Sequence, residues 1–203
     1  MSRRIAVLVS GRGSNLQSII DAIRARVLDA TLAVVISNRA EAAGLRRARE
    51  AGVEAVFLDP KGHATRDAYD RALAGALQSR SIDLVCLAGY MRLAGAPLLE
   101  AFPQSILNIH PSLLPSFPGL EAQRQALEHG VRVSGATVHF VTADLDAGPI
   151  VLQAAVPVLE HDTVEALSAR ILVEEHRLYP EAIGLVLAGG WRVVGRRFVH
   201  TGG

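Results

Sequence analysis

Apolar, strand-like runs alternate with amphipathic helical stretches through the first half of the chain, and this alternation restricts the fold more than any other feature. RIAVLVS, TLAVVIS, EAVFL and DLVCLAG are short apolar runs that read as strands. Between them lie NLQSIIDAIRA, AAGLRRAREAG and TRDAYDRALAGALQSR. In the first of these, Leu16, Ile19, Ile20 and Ile23 recur at the i, i+3, i+4, i+7 spacing of a helix with one apolar face. Strands that succeed one another through helices pair in parallel by right-handed crossovers, with helices covering both faces of the sheet. Beyond His110 the pattern changes. GATVHFV and PIVLQAAVPV are consecutive strands joined only by a loop, which predicts an antiparallel or mixed extension of the sheet. DTVE then offers Asp162 as an N-cap with Glu165 three residues later, opening a helix to about Ala188 that Pro180 is expected to kink or interrupt. The tail, WRVVGRRFVH, reads as a small terminal hairpin.

The stretch SILNIHPSLLPSFP, Ser105 to Pro118, concentrates chemistry at a strand end. Asn108 and His110 lie two residues apart on a short strand, so both project from one face. Pro111, Pro115 and Pro118 cannot continue a ladder, and the chain must leave the sheet directly after His110. In open α/β sheets, the C-terminal ends of strands are where ligands bind. After GATVHFV, the loop TADLDAGPI carries Asp144 and Asp146 and is closed by Gly148 and Pro149. One reading has Asp146 orienting His110 and stabilising its protonated form. The other has a satisfied structural histidine and an aspartate that merely forms its turn.

The first strand runs into SGRGSNL, with glycines at 11 and 13 before a helix. Backbone N–H groups at such a turn, helped by the helix dipole, suit an anion. The dinucleotide fingerprint is incomplete, since its third small position is Leu16 and the second strand ends Ser37, Asn38, Arg39 without an acid for a ribose. A Walker lysine is absent as well. The turn therefore favours a phosphomonoester, the alternative being a plain tight turn capped by Ser14 or Asn15.

Composition narrows the class. At 203 residues, half of them apolar and with no low-complexity linker, a single domain is the expected count. A formal net charge of +1, with arginines interspersed among acids, offers no field for nucleic acid or an anionic membrane. The apolar core of the N-terminal segment is too short for a signal peptide and no run approaches bilayer length, so the cytoplasm is the expected compartment. The single Cys86 lies in LVCLAG and reads as a small buried hydrophobe, and the histidines lack ligand spacing, so no metal site is expected.

VLVSGRGSNLQSII, LAGYMRL, ILNIHPSLLPSFPGL, GATVHFVTADLDAGPIVLQ and EEHRLYP occur in the order and spacing of the phosphoribosylglycinamide formyltransferases, the folate-dependent enzymes of purine biosynthesis, and the chain resembles that family over all but its last dozen or so residues. The resemblance implies a Rossmann-like formyltransferase fold: a single α/β domain over 1–203 with a mixed, mostly parallel sheet of about seven strands. Residues 1–100 would form a phosphate-binding βαβ half and 101–190 a catalytic and folate-binding half. It further implies Asn108, His110 and Asp146 as catalytic residues, and Gly13, Ser14, Asn15 and Glu175 as the residues that hold phosphoribosylglycinamide. On the folate side it implies Arg66, Met91, Arg92, Leu93, Ala94, Asn108, Thr142, Ala143, Asp144, Leu145 and Asp146. Taken without the resemblance, Arg66 and Arg92 read as solvated arginines, Met91 and Leu93 as core, Glu175 and His176 as an exposed helix face, and His139 as a buried strand histidine.

The implied reaction moves a formyl group from 10-formyltetrahydrofolate, the co-substrate, to the glycinamide amine, with no metal, nucleic acid or membrane as partner and a monomer or weak homodimer as the assembly. The proton passes from attacking to leaving nitrogen through His110 or through a water held by Asp146. Glu121, Ala122 and Gln123 depart from the family, which often carries histidine near that place, and Ala94, Gly95 and Ala96 are smaller than usual there. Two rival readings are a formyltetrahydrofolate deformylase and a non-catalytic nucleotide-binding module. The first is disfavoured because deformylases usually carry an N-terminal regulatory domain, whereas this chain starts at its first strand.

Overall fold

A computed structural model describes residues 2–201. The chain forms two compact units, Met1–Asn108 and Ile109–Gly203. The first unit contains β1 (Arg3–Val9), α1 (Ser14–Arg24), β2 (Ala30–Ser37), α2 (Ala43–Glu50), β3 (Glu54–Phe57), α3 (Arg66–Gln78), β4 (Leu84–Leu87), α4 (Ala96–Ala101) and the start of β5 (Ile106–His110). Its strands lie in the order β3-β2-β1-β4-β5 and pair in parallel throughout. The central β1 has no exposed side chain from Ile5 to Val9, as a strand covered on both faces requires. Ile5, Val7, Leu8 and Val9 each contribute about 1.5–3 kcal/mol by leaving water. The chain winds outward from β1 through β2 and β3, then crosses to its other side at β4. Open α/β sheets bind ligands beyond the strand ends at such a reversal, and here the glycine turn follows β1 and an irregular segment follows β4.

The second unit adds α5 (Ala122–Glu128), β6 (Val133–Phe140), β7 (Ile150–Pro157), α6 (Val164–Ala188), β8 (Trp191–Val194) and β9 (Arg197–His200), with strands in the order β6-β7-β9-β8. The pair β6–β7 is antiparallel, as the loop-only connection predicts, and α6 packs on both. The terminal hairpin forms as β8–β9, and its Trp191 and Phe198 stack with Phe140. With it the described strands number nine rather than about seven.

Two local expectations need correction. Thr163, not Asp162, caps α6, its hydroxyl accepting from Ala166 N at 3.2 Å. Asp162 instead accepts from Leu159 N at 2.8 Å and pairs with Arg170 at 2.7 Å, which holds its carboxyl down to about 2. Pro180 does not interrupt α6, which runs on to Ala188 with the proline buried. One missing N–H costs one helical bond, and packing of the apolar ring in the core offsets the loss.

Candidate active site

β5 ends at His110, where Pro111 takes the chain out of the ladder. Asn108 and His110 share a face of this strand, the first half-buried and the second 5% exposed. The loop that follows is fixed by buried polar contacts. Thr137 Oγ1 on β6 donates to Ser112 O at 2.6 Å and accepts from Leu114 N at 3.1 Å, and Gln153 Nε2 on β7 donates to Leu114 O at 2.9 Å. Ser112 Oγ closes the loop on Ser116 O at 2.5 Å. This shape, with Phe117 in the left-handed region at φ 55°, brings Phe117 O to 2.8 Å from His110 Nε2.

The other ring nitrogen faces Asp146. Its Oδ2 lies 3.4 Å from His110 Nδ1 and accepts from Gly119 N at 2.8 Å, and its Oδ1 lies 3.6 Å from His139 Nε2. Asp146 is itself left-handed at φ 49°, just before a turn where Gly148 is required, since a Cβ there would run into Phe140 O. His139 is 2% exposed and gives its Nδ1–H to Phe140 O at 2.9 Å; burial pushes its pKa below the ordinary 6.5, outweighing the opposing pull of that bond and of Asp146. His110 lies between two acceptors, the backbone carbonyl of Phe117 and the Asp146 carboxylate.

In the first unit, Gly13 at φ 70° is the N-cap residue of α1, so Ser14 and Asn15 stand inside the helix rather than at its N-cap position. A Cβ on Gly13 would stand 2.8 Å from Gly44 Cα, which α2 presses against the turn. Gly44 N donates to Gly11 O at 3.1 Å and Arg47 Nε to Arg12 O at 2.9 Å, so α2 holds the turn's carbonyls away from α1. Ser14 is half-buried and Asn15 buried.

Met91 and Leu93 are 58% and 56% exposed, contrary to a core reading, and are available to a ligand. Ala94 beside them is half-buried. Arg66 and Arg92 are not free solvated arginines either: Arg66 Nη2 donates to Leu93 O at 2.7 Å, and the Arg92 guanidinium lies 4.6 Å from the centre of the Tyr69 ring. Thr142, Ala143, Asp144 and Leu145 form an exposed loop leading into Asp146, with Thr142 Oγ1 donating to Asp144 O at 3.3 Å. Glu175 is only 7% exposed on α6, so the exposed-face reading fails for it. Among the described residues no group of three or more His, Cys, Asp or Glu side chains is placed to hold a metal ion, and no helix is long and apolar enough to cross a membrane.

Several contributors had little or no sequence signature. Phe117 O and Gly119 N are backbone groups, visible only once the loop is folded. Asp70 had a signal: it falls on the apolar stripe of α3 with Leu73, Ala74 and Leu77, where a charge is out of place unless bonded.

The chain matches the formyl transferase family model over residues 3–183. It is 44% identical over 196 residues to the phosphoribosylglycinamide formyltransferase of Escherichia coli (strain K12), covering 97% of this chain and 90% of that protein. It is 50% identical over 186 residues to the human trifunctional purine biosynthetic protein adenosine-3, covering 92% of this chain but spanning only 18% of that protein's length. A crystal structure of glycinamide ribonucleotide transformylase 1 from Symbiobacterium toebii is 63% identical and superposes with a TM-score of 0.97, covering 98% of this chain and 94% of the other. With its motifs, its fold and nearly all of its length accounted for in this way, the chain belongs to the formyl transferase family.

Proposed function

We propose that the chain transfers the formyl group of 10-formyltetrahydrofolate to the amine of N1-(5-phospho-D-ribosyl)glycinamide, yielding the N-formyl product and tetrahydrofolate, as a step of purine biosynthesis. The observation that carries this reading is His110, held between Asp146 and Phe117 O two residues after Asn108 on β5. The relatives' names support the choice of substrates. The Gly13–Asn15 turn would grip the phosphate through backbone N–H groups, and Glu175 would hold the ribose hydroxyls. Arg66, Met91–Ala94 and Thr142–Asp146 would receive the folate.

The chemistry follows from the charges that develop. The amine attacks the formyl carbon, a tetrahedral centre with an oxyanion forms, the bond to N10 breaks, and a proton moves from the attacking nitrogen to the departing one. Asn108 donates its amide N–H to the oxyanion. His110 adds a second, charge-assisted donor by exchanging Phe117 O for the developing anion, a better acceptor than a neutral carbonyl. Asp146 keeps the ring oriented through that exchange. An amine nucleophile needs no covalent relay through the protein.

Label transfer tests the reading. With a carbonyl-labelled 10-formyltetrahydrofolate and phosphoribosylglycinamide, the label should end in the amide of the ribotide product. Label released as formate would mean a hydrolase, and label left on the folate would mean a binding module.

A further inference from the structure

The segment Tyr90–Gly95 contains the folate-side candidates Met91–Ala94, yet it has no regular structure and is held almost residue by residue. Tyr90 OH meets Tyr69 OH at 2.9 Å, Met91 N donates to Ser10 Oγ at 2.8 Å, and Arg92 lies over the Tyr69 ring. Leu93 O accepts from Arg66, and Gly95 N donates to Asp70 Oδ2 at 2.7 Å. All but one of these tethers come from α3. The exception, Ser10 at the end of β1, is itself anchored by donating to Asn38 Oδ1 at 2.6 Å.

Asp70 is the informative member. It is 2% exposed and occupies a place in the apolar stripe of α3 that a leucine would fill at no electrostatic cost. Burial raises its pKa, with the Gly95 N–H and the nearby Arg66 and Arg92 opposing. Its hydrogen bond reaches out of the helix to the backbone at the far end of the segment. A Cβ on Gly95 would run into Asp70 Oδ2, so the carboxylate and the bare glycine fit as a pair.

We infer that Asp70 is a positioning residue for the co-substrate: with Ser10 at the other end, it fixes the backbone of residues 91–95 so that Met91, Leu93 and Ala94 present a folate surface already shaped before ligand arrives. Ordering a loop in advance removes that cost from binding, so the effect belongs to folate affinity. The inference rests on the reading that this segment receives the folate.

The test combines amide hydrogen exchange with steady-state kinetics on Asp70→Ala, Asp70→Asn and Ser10→Ala. In Asp70→Ala the Gly95 amide should exchange about tenfold faster or more, as expected for losing a bond to a charged acceptor. KM for the folate should rise roughly tenfold, well beyond any change in KM for the amine substrate. Asp70→Asn keeps an oxygen for Gly95 N and should recover most of both. Ser10→Ala should unprotect Met91 N and raise the folate KM in the same way, and it decides the matter if Asp70→Ala does not fold. Unchanged Gly95 exchange and folate KM, an equal rise in both KM values, or failure of asparagine to rescue would overturn the inference. Failure of the unmodified protein to bind folate would fall on the proposed function instead.

Discussion

Asp146 occupies a backbone conformation that costs a non-glycine residue about 1–2 kcal/mol, tolerated best by short polar side chains. That strain aims one carboxylate at His110, His139 and Gly119 N together. Asparagine keeps the backbone shape and an acceptor for Gly119 but not the charge. Asp146→Asn should therefore lower the transfer rate roughly a hundredfold to a thousandfold, the scale of losing an oxyanion donor, while folate binding falls far less. Comparing single-turnover rate with folate Kd checks this, and equal losses in both would contradict it. His139 gives a pH prediction. Its folded pKa lies below the ordinary 6.5, so between those values the unfolded chain binds more protons and stability falls as pH drops. His139→Gln should lose less stability than the unmodified protein between about pH 7 and about pH 5 in urea titrations, and an identical slope would refute the assignment. Side-chain candidates such as Asn108, His110 and Asp146 were legible because their residue types and spacing carry chemistry. Asp70 and Glu175 were less so, although both carry one readable mark: each is an acid on an otherwise apolar helical stripe, Glu175 falling in line with Leu167, Ile171 and Leu178.

At the scale of elements, strong periodicity translated directly into structure. β1, β2, α1, α3 and the β6–β7 pair lie where their apolar patterns put them, within a residue or two. The short helices α4 and α5 went unread because six or seven residues hold too few turns to show a period. Capping was the weakest reading, since Asp162 and Thr163 are both good N-caps and only the competing Arg170 pair decides between them. The α1 N-terminus gives a prediction at this scale. Gly13 is both left-handed and pressed against Gly44, so Gly13→Val must distort the turn that would hold the phosphate. Its main effect should be weaker phosphoribosylglycinamide binding, at least tenfold on the scale of a lost charged hydrogen bond, with folate binding retained. Calorimetry with each ligand separates the two, and unchanged affinity for the ribotide would remove the turn from the site.

For the whole molecule, composition excluded more than it identified: a net charge of +1 and one cysteine leave a small-molecule enzyme among many possibilities, and only the long motifs narrowed it further. Family membership is secured by matches along nearly the full chain, whereas the residue roles belong to the proposed function. Under the proposed function the site aligns an amine with a formyl carbon, so its rate comes from positioning one particular nucleophile. The direct measurement is release of deformylated folate from 10-formyltetrahydrofolate or its 5,8-dideaza analogue, followed by absorbance with and without phosphoribosylglycinamide and without added metal or nucleotide. Turnover should be roughly a hundredfold faster or more when the amine is present, because water is not held as a nucleophile. Comparable release without the amine, or none with it, would contradict formyl transfer to a positioned amine.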